Sequence, residues 1–247
     1  EKQSTWLNEF VPVDGFYYSV FPFGAVLSMV PFAFLKTGGL ITEMPSALIA
    51  ALCAGVSAAF LLLIARSYDI SRSRIILMSL GILFGTWTWT NVTMGGAWQL
   101  ALGLALVGLL GAIYFTVYNR HPMLAGAFFA LAFGNRTEIL LTAPIFLYLL
   151  YRPNPTSNSP ERELNPDVEP NAHGNVRACA VFCAIPFVVG ISTLIYNYVR
   201  FHSITDFGYA RIPGVLNEPW YNHGIFSVYY IPRQFWEMVL RLWEFRP

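Results

Sequence analysis

The sequence predicts an all-α fold, a polytopic membrane helix bundle forming one transmembrane domain over residues 1–247. Three observations carry that expectation. Of the 247 residues, 55% are hydrophobic and 12% charged, about half the charge density of an ordinary soluble domain. Mean hydropathy is +0.51. Several apolar runs reach the roughly 20 residues that a helix needs to cross about 30 Å of hydrocarbon. A formal net charge of +1 argues against a nucleic-acid partner; the lipid bilayer is the expected surrounding. Cys53, Cys179 and Cys183 all lie inside apolar runs, where small packing residues are a better account than redox or metal chemistry. The chain opens on Glu1 in a polar stretch without a signal-peptide pattern and closes at Arg246-Pro247 behind an aromatic segment. A fragment lacking at least one span at each end is expected.

Residues 1–44 read as an external loop and an interface helix. The apolar stretch 17–35 (YYSVFPFGAVLSMVPFAFL) is broken by Pro22, Gly24 and Pro31 and closed by Lys36. A crossing there would remove one inversion from the topology set by the later loops. A helix lying in the external interface fits better, with an ordinary span as the alternative. Clear spans follow at 45–65, 75–92, 98–118 and 178–198. Between the first two, Arg66, Arg72 and Arg74 crowd a short loop, and Arg120 sits in the turn after the third. Short arginine-rich loops mark the cytoplasmic side, which puts residues 90–97 outside, with Trp87, Trp89 and Trp98 as an aromatic belt.

Residues 123–134 (MLAGAFFALAFG) and 139–151 make helices of about 18 and 20 Å at 1.5 Å per residue, each too short to cross alone. Between them stands GNRTE, with Arg136 and Glu138. One continuous helix would put both charges near mid-depth, at a cost of at least ~2.5 kcal/mol each without a partner or polar cavity. The alternative is a hairpin of two half-helices, 123–151, whose tip lines a water-filled cavity. A plain structural pair between Arg136 and Glu138 is the simplest account of the charges. Residues 152–176, rich in proline, asparagine and acid, read as a disordered cytoplasmic linker. The span at 177–199 then leads to an external loop and aromatic segment, 200–247. Arg200, Arg211, Arg233, Arg241 and Arg246 on that external side run against arginine counting and ask for a job such as an anionic ligand.

Three stretches resemble one family. DGFYYSVFPFG (14–24) is similar to the "DGxYYSxYPxG" segment of membrane glycosyltransferases of the GT-C fold. LAFGNRTEILL (131–141) resembles their "GLAxxxRPxxLL" hairpin, and YNYVRFHSITDFGY (196–209) resembles "YNYLRFGSPFEFGY". The group includes protein O-mannosyltransferases, the aminoarabinose transferase of lipid A and bacterial proteins similar to dolichyl-phosphate-mannose-dependent mannosyltransferases. The resemblance implies a GT-C-like bundle in a bacterial inner membrane. It implies transfer of a sugar from a polyprenyl-phosphate donor to a lipid, glycan or protein acceptor on the external face.

On that reading Arg136 and Arg200 would hold the donor phosphate as charge develops on it. Tyr17, Tyr18, Tyr196, Asn197 and Gln99 would contact substrate. The family's general base is an acid in the first external loop, expected upstream of this chain. Only Glu9 and Asp14 remain there, and Asp14 matches the "DG" turn element. Metal-using relatives carry an aspartate in the second external loop. This chain has no acid between Asp69 and Glu138, and Gln99 is a poor ligand for a hard cation, so no cofactor or metal is expected. Asn91-Val92-Thr93 matches a glycosylation sequon, a weak signal alone. A transporter or lipid flippase, which also uses broken helices, is the competing class, though no internal repeat accompanies the broken segment. A non-catalytic scaffold would leave Arg136 without a reason.

Overall fold

In a computed structural model of the chain, the residues described are 10–86, 88–89, 96–152, 175–212, 214, 217, 221–224 and 227–241. They are mostly helical and divide into two compact units. The larger is Pro22–Leu194; the smaller joins Glu1–Phe21 to Ile195–Pro247.

In the larger unit, α1 (Phe23–Thr37) is followed by α2 (Ser46–Ala65), α3 (Arg72–Phe84) and α4 (Ala97–Ile113), which a π turn extends through Tyr118. Helix α2 and the Ala97–Tyr118 helix are long and apolar enough to cross a membrane, as is α7 (Val176–Phe201), whose residues up to Leu194 belong to this unit. Helices α2 and α4 run parallel. Cys53 packs on Gly103, where an added Cβ would come within 3.2 Å of its side chain. Further along, the Phe60 ring meets Tyr114 at 5.9 Å, and beyond the helix ends the Tyr68 and Tyr118 hydroxyls are 2.5 Å apart.

The chain then forms α5 (Pro122–Asn135), a single extended residue at Arg136, a 3₁₀ segment (Thr137–Thr142) and α6 (Ala143–Tyr151). Pro122 suits the first turn because its missing N–H would be unsatisfied there anyway. Arg120, just before α5, donates from Nη2 to the carbonyls of Leu149, at 3.3 Å, and Leu150. The start of α5 therefore lies beside the end of α6, and the two half-helices are antiparallel. Of the two geometries open to the sequence, the chain takes the hairpin. Phe129 on α5 meets Phe146 on α6 at 5.1 Å and Phe182 on α7 at 5.3 Å, and Phe146 stacks on Phe182. Gly126 lets the α5 backbone close on the Phe182 carbonyl, a space that a Cβ would occupy. The backbone amide of Asn175 donates to the Tyr151 carbonyl at 3.0 Å. The turns after α2 and α4, the end of α6 and the start of α7 thus share one end of this unit.

In the smaller unit, β1 (Phe10–Val13) and β2 (Phe16–Ser19) pair antiparallel, Val11 opposite Tyr18. Asp14 and Gly15 link them with φ of 50° and 81°, the positive values that a two-residue type I′ turn requires at both positions. Val11, Val13 and Val20 pack on Phe201, in the last turn of α7. Gly208 has φ 81° and faces the Phe201 ring so closely that a Cβ would lie 2.6 Å from it. Helix α8 (Ile231–Phe235) continues into a π turn, Trp236–Leu240.

Three expectations need correction. The chain is not purely α: residues 10–19 form the β-hairpin. The apolar helix expected over 17–35 starts only at Phe23, because Tyr17 and Tyr18 belong to β2 and Pro22 caps the helix start. The single helix expected over 75–92 is interrupted: it runs over Arg72–Phe84, 13 residues, and ends at Gly85, while Trp87 and residues 90–92 lie outside the described residues. Its charged start is helical rather than loop, and Thr86 turns its hydroxyl back to the Ile82 carbonyl at 2.6 Å. Residues 153–174 of the expected linker, together with Glu9, Trp87, the 91–93 sequon and residues 242–247, lie outside the described residues.

Candidate functional site

Arg136 occupies the break in the hairpin. Helix α5 ends at Asn135, and Arg136 is extended at φ −141° and ψ 96° before the 3₁₀ turn begins. The Asn135 side chain is buried; its Nδ2 donates to the Leu131 carbonyl at 2.9 Å and to the Ser28 hydroxyl at 3.3 Å. That second bond ties the tip to α1, where Gly24 and Gly134 bring their backbones together with no room for a Cβ on Gly24. A fixed support therefore stands directly before the arginine.

The Arg136 guanidinium sits 5.5 Å from the Trp98 ring centroid, a cation–π distance. Its Nε is 3.4 Å from Glu138 Oε1, with side-chain exposures of 29% and 61%. The contact is within ion-pair reach but is not aligned as a hydrogen bond, since Nε has no hydrogen-bond partner. A pair with one partner this exposed contributes at most about 1 kcal/mol. Among the described residues the guanidinium donates no hydrogen bond to the protein. Asn135 Oδ1 beside it is also buried without a partner. Gln99 follows Trp98 at the start of α4, where it lines a cavity with Ala50, Thr86 and Thr88.

The other expected residues belong to the smaller unit. Arg200 is 4% exposed. It donates from Nη1 to the Ser19 carbonyl at 2.5 Å, from Nη2 to Asn197 Oδ1 at 2.9 Å and from Nε to the Tyr196 carbonyl at 3.4 Å. It lies 3.6 Å over the Tyr196 ring. Asn197 is buried and donates to the Ile204 carbonyl at 3.4 Å. Tyr196, Asn197 and Arg200 are thus brought together with the end of β2. Tyr18 faces inward, 6.3 Å from Phe201, whereas Tyr17 on the opposite strand face is exposed.

Asp14 pairs with a residue that sequence reasoning passed over: its Oδ2 lies 2.7 Å from Nε2 of His202. His202 has φ 54°. It stands where the resembled pattern has glycine, and that departure was the available signal, since a helix commonly ends on a left-handed residue there. Both members of the pair are well exposed. No group of three or more His, Cys, Asp or Glu side chains able to hold a metal ion occurs among the described residues.

Comparison with protein-family models, curated proteins and solved structures finds no match to this chain.

Proposed function

We propose that this chain is a multi-pass membrane glycosyltransferase of the inner membrane that takes its sugar from a polyprenyl-phosphate donor, with Arg136 as the donor-phosphate ligand. One observation carries the reading: a guanidinium at a helix break, between two apolar half-helices, that spends none of its five N–H donors on the protein among the described residues. An arginine stays charged at any working pH and grips phosphate oxygens in a planar fork. A lipid phosphate leaving a sugar carbon gains negative charge, so a positioned cation favours the transition state over the ground state. Trp98 would hold the guanidinium plane, and Asn135 Oδ1 would accept a hydrogen bond from the donor. The three motif resemblances supply the sugar and the acceptor as classes.

Arg200 enters this reading as a frame residue. Its hydrogen bonds go to Ser19, Tyr196 and Asn197, which leaves it little to offer a phosphate. Asp14 is an acid in the first loop, paired with His202 at 2.7 Å.

The test is transfer of labelled sugar from a polyprenyl-phosphate donor by the full-length protein in detergent. Sugar appearing on an acceptor, with release of polyprenyl phosphate, supports the reading. Substrate movement across proteoliposomes without transfer would replace it with a transporter.

A further inference from the structure

Among the described residues, two that are not glycine have positive φ, Asp14 at 50° and His202 at 54°, and their side chains meet. Asp14 opens the turn between β1 and β2. His202 follows the end of α7, its backbone amide donating to the Tyr198 carbonyl at 2.9 Å. Both belong to the smaller unit. The left-handed region crowds a Cβ against the backbone, and glycine escapes that cost at either position. The contact between the side chains does not offset it. With exposures of 68% for His202 and 71% for Asp14, solvent screens the pair, and an exposed ion pair adds little to stability. Stability alone favours glycine at both positions, so these side chains serve something other than the fold.

The contact has a definite polarity. An ionised carboxylate only accepts, so His202 Nε2 donates to Asp14 Oδ2 across 2.7 Å. A neutral imidazole carries one proton, and with it fixed on Nε2 the lone pair sits on Nδ1. Nδ1 has no hydrogen bond to the protein among the described residues. The neighbouring charges are turned elsewhere. Arg200 is buried against Ser19 and Asn197. Arg211 donates to Asp206 Oδ2 at 2.7 Å and to the Phe201 carbonyl at 3.0 Å. An exposed ring nitrogen with a free lone pair, backed by a carboxylate that fixes the tautomer, is the arrangement of a general base.

We propose that His202 is the general base that deprotonates a hydroxyl of the sugar acceptor, with Asp14 as its positioning residue. The inference rests on the glycosyltransferase reading above. Nδ1 takes the proton as the hydroxyl oxygen bonds to the anomeric carbon. The bond from that carbon to the phosphate oxygen breaks, and its electron pair leaves with the polyprenyl phosphate. The imidazolium, stabilised by the Asp14 carboxylate, then passes its proton to solvent, to which both side chains are open.

The test uses the full-length protein in detergent with labelled donor, and His202→Gly is the decisive variant. Because it relieves the left-handed backbone, it should fold and bind donor like the parent, yet transfer sugar roughly a hundredfold or more slowly. Free imidazole in the buffer should restore part of that loss. In the parent, transfer should fall as acid protonates the ring. Asp14→Asn should move that fall to lower pH, since the imidazolium loses its carboxylate. Parental transfer by His202→Gly overturns the proposal. So does a slow variant that imidazole fails to rescue, which would mark a structural contact, and an acid fall that Asp14→Asn leaves in place removes Asp14 from it. In each case transfer by the parent leaves the glycosyltransferase reading standing. A parent that transfers no sugar ends that reading and this one together.

Discussion

At the scale of single residues, the two arginines singled out by the sequence have opposite characters. Both were conspicuous for the same reason, a charge placed against apolar helix. Their surroundings, which separate them, come from residues distant in sequence. Arg200 is answered by Ser19, 181 positions away, and no local pattern announces that bond. Arg136 is set on Trp98, a residue the sequence offered only as part of an aromatic belt. Removing Arg200 leaves a buried cavity and strips the Ser19 carbonyl and Asn197 Oδ1 of their donor. Arg200→Ala should therefore destabilise the smaller unit by about 3 kcal/mol, since hydrogen bonds to a charged group contribute about 1.5–3 kcal/mol each. Thermal unfolding in detergent, followed by tyrosine fluorescence, checks it. A variant as stable as the parent would remove Arg200 from the frame.

At the scale of elements, the hairpin was legible because two apolar runs were each too short to cross and a charged break stood between them. Length and charge are local quantities, and both survive into the structure as α5, Arg136 and α6. The β-hairpin was harder to read. Its strands are four residues each, Tyr17 and Tyr18 continue without a break into an apolar run, and the turn signal Asp14-Gly15 also suits a simple bend. The break in the helix expected over 75–92 was missed for a related reason. Hydropathy counts residues, whereas Gly85 and the back-bonding Thr86 end the helix.

The hairpin makes a topological prediction. The chain on either side of 123–151 should lie on one face of the membrane, the face reached by the turn between α2 and α3. In a cysteine-free background, Asp69→Cys and Ser157→Cys should both react with an impermeant maleimide only when the cytoplasmic side is opened. Labelling of the two from opposite sides would require one continuous crossing through Arg136 and would contradict the hydrogen bonds from Arg120 to Leu149 and Leu150.

At the scale of the whole molecule, composition announced a helical chain with apolar spans, and three helices have the length and composition to cross a membrane. The division into two units was not legible, because the smaller unit joins the first residues to the last and its cohesion depends on Val11, Val13 and Val20 meeting Phe201. The chemistry proposed for the whole chain needs no divalent ion, given the absence of any acid between Asp69 and Glu138. Transfer by the full-length protein should survive an excess of chelator undiminished. Loss of transfer, restored by adding a divalent ion, would show that metal ligands from elsewhere in the chain had been overlooked.

The measurement that bears most directly on the central claim compares sugar transfer and donor binding in Arg136→Ala, Arg136→Lys and the double variant Arg136→Ala with Glu138→Gln. Each variant is first shown to be folded and present in the membrane at parental levels. Loss of a charge-assisted contact that strengthens as the phosphate departs should slow turnover by roughly a hundredfold or more in Arg136→Ala. Lysine should restore only part, because a point charge lacks the fork. The double variant should be as stable as the parent and as slow as the single one. Full transfer by the double variant would show that Arg136 serves only to balance Glu138, and the phosphate-binding role would fall.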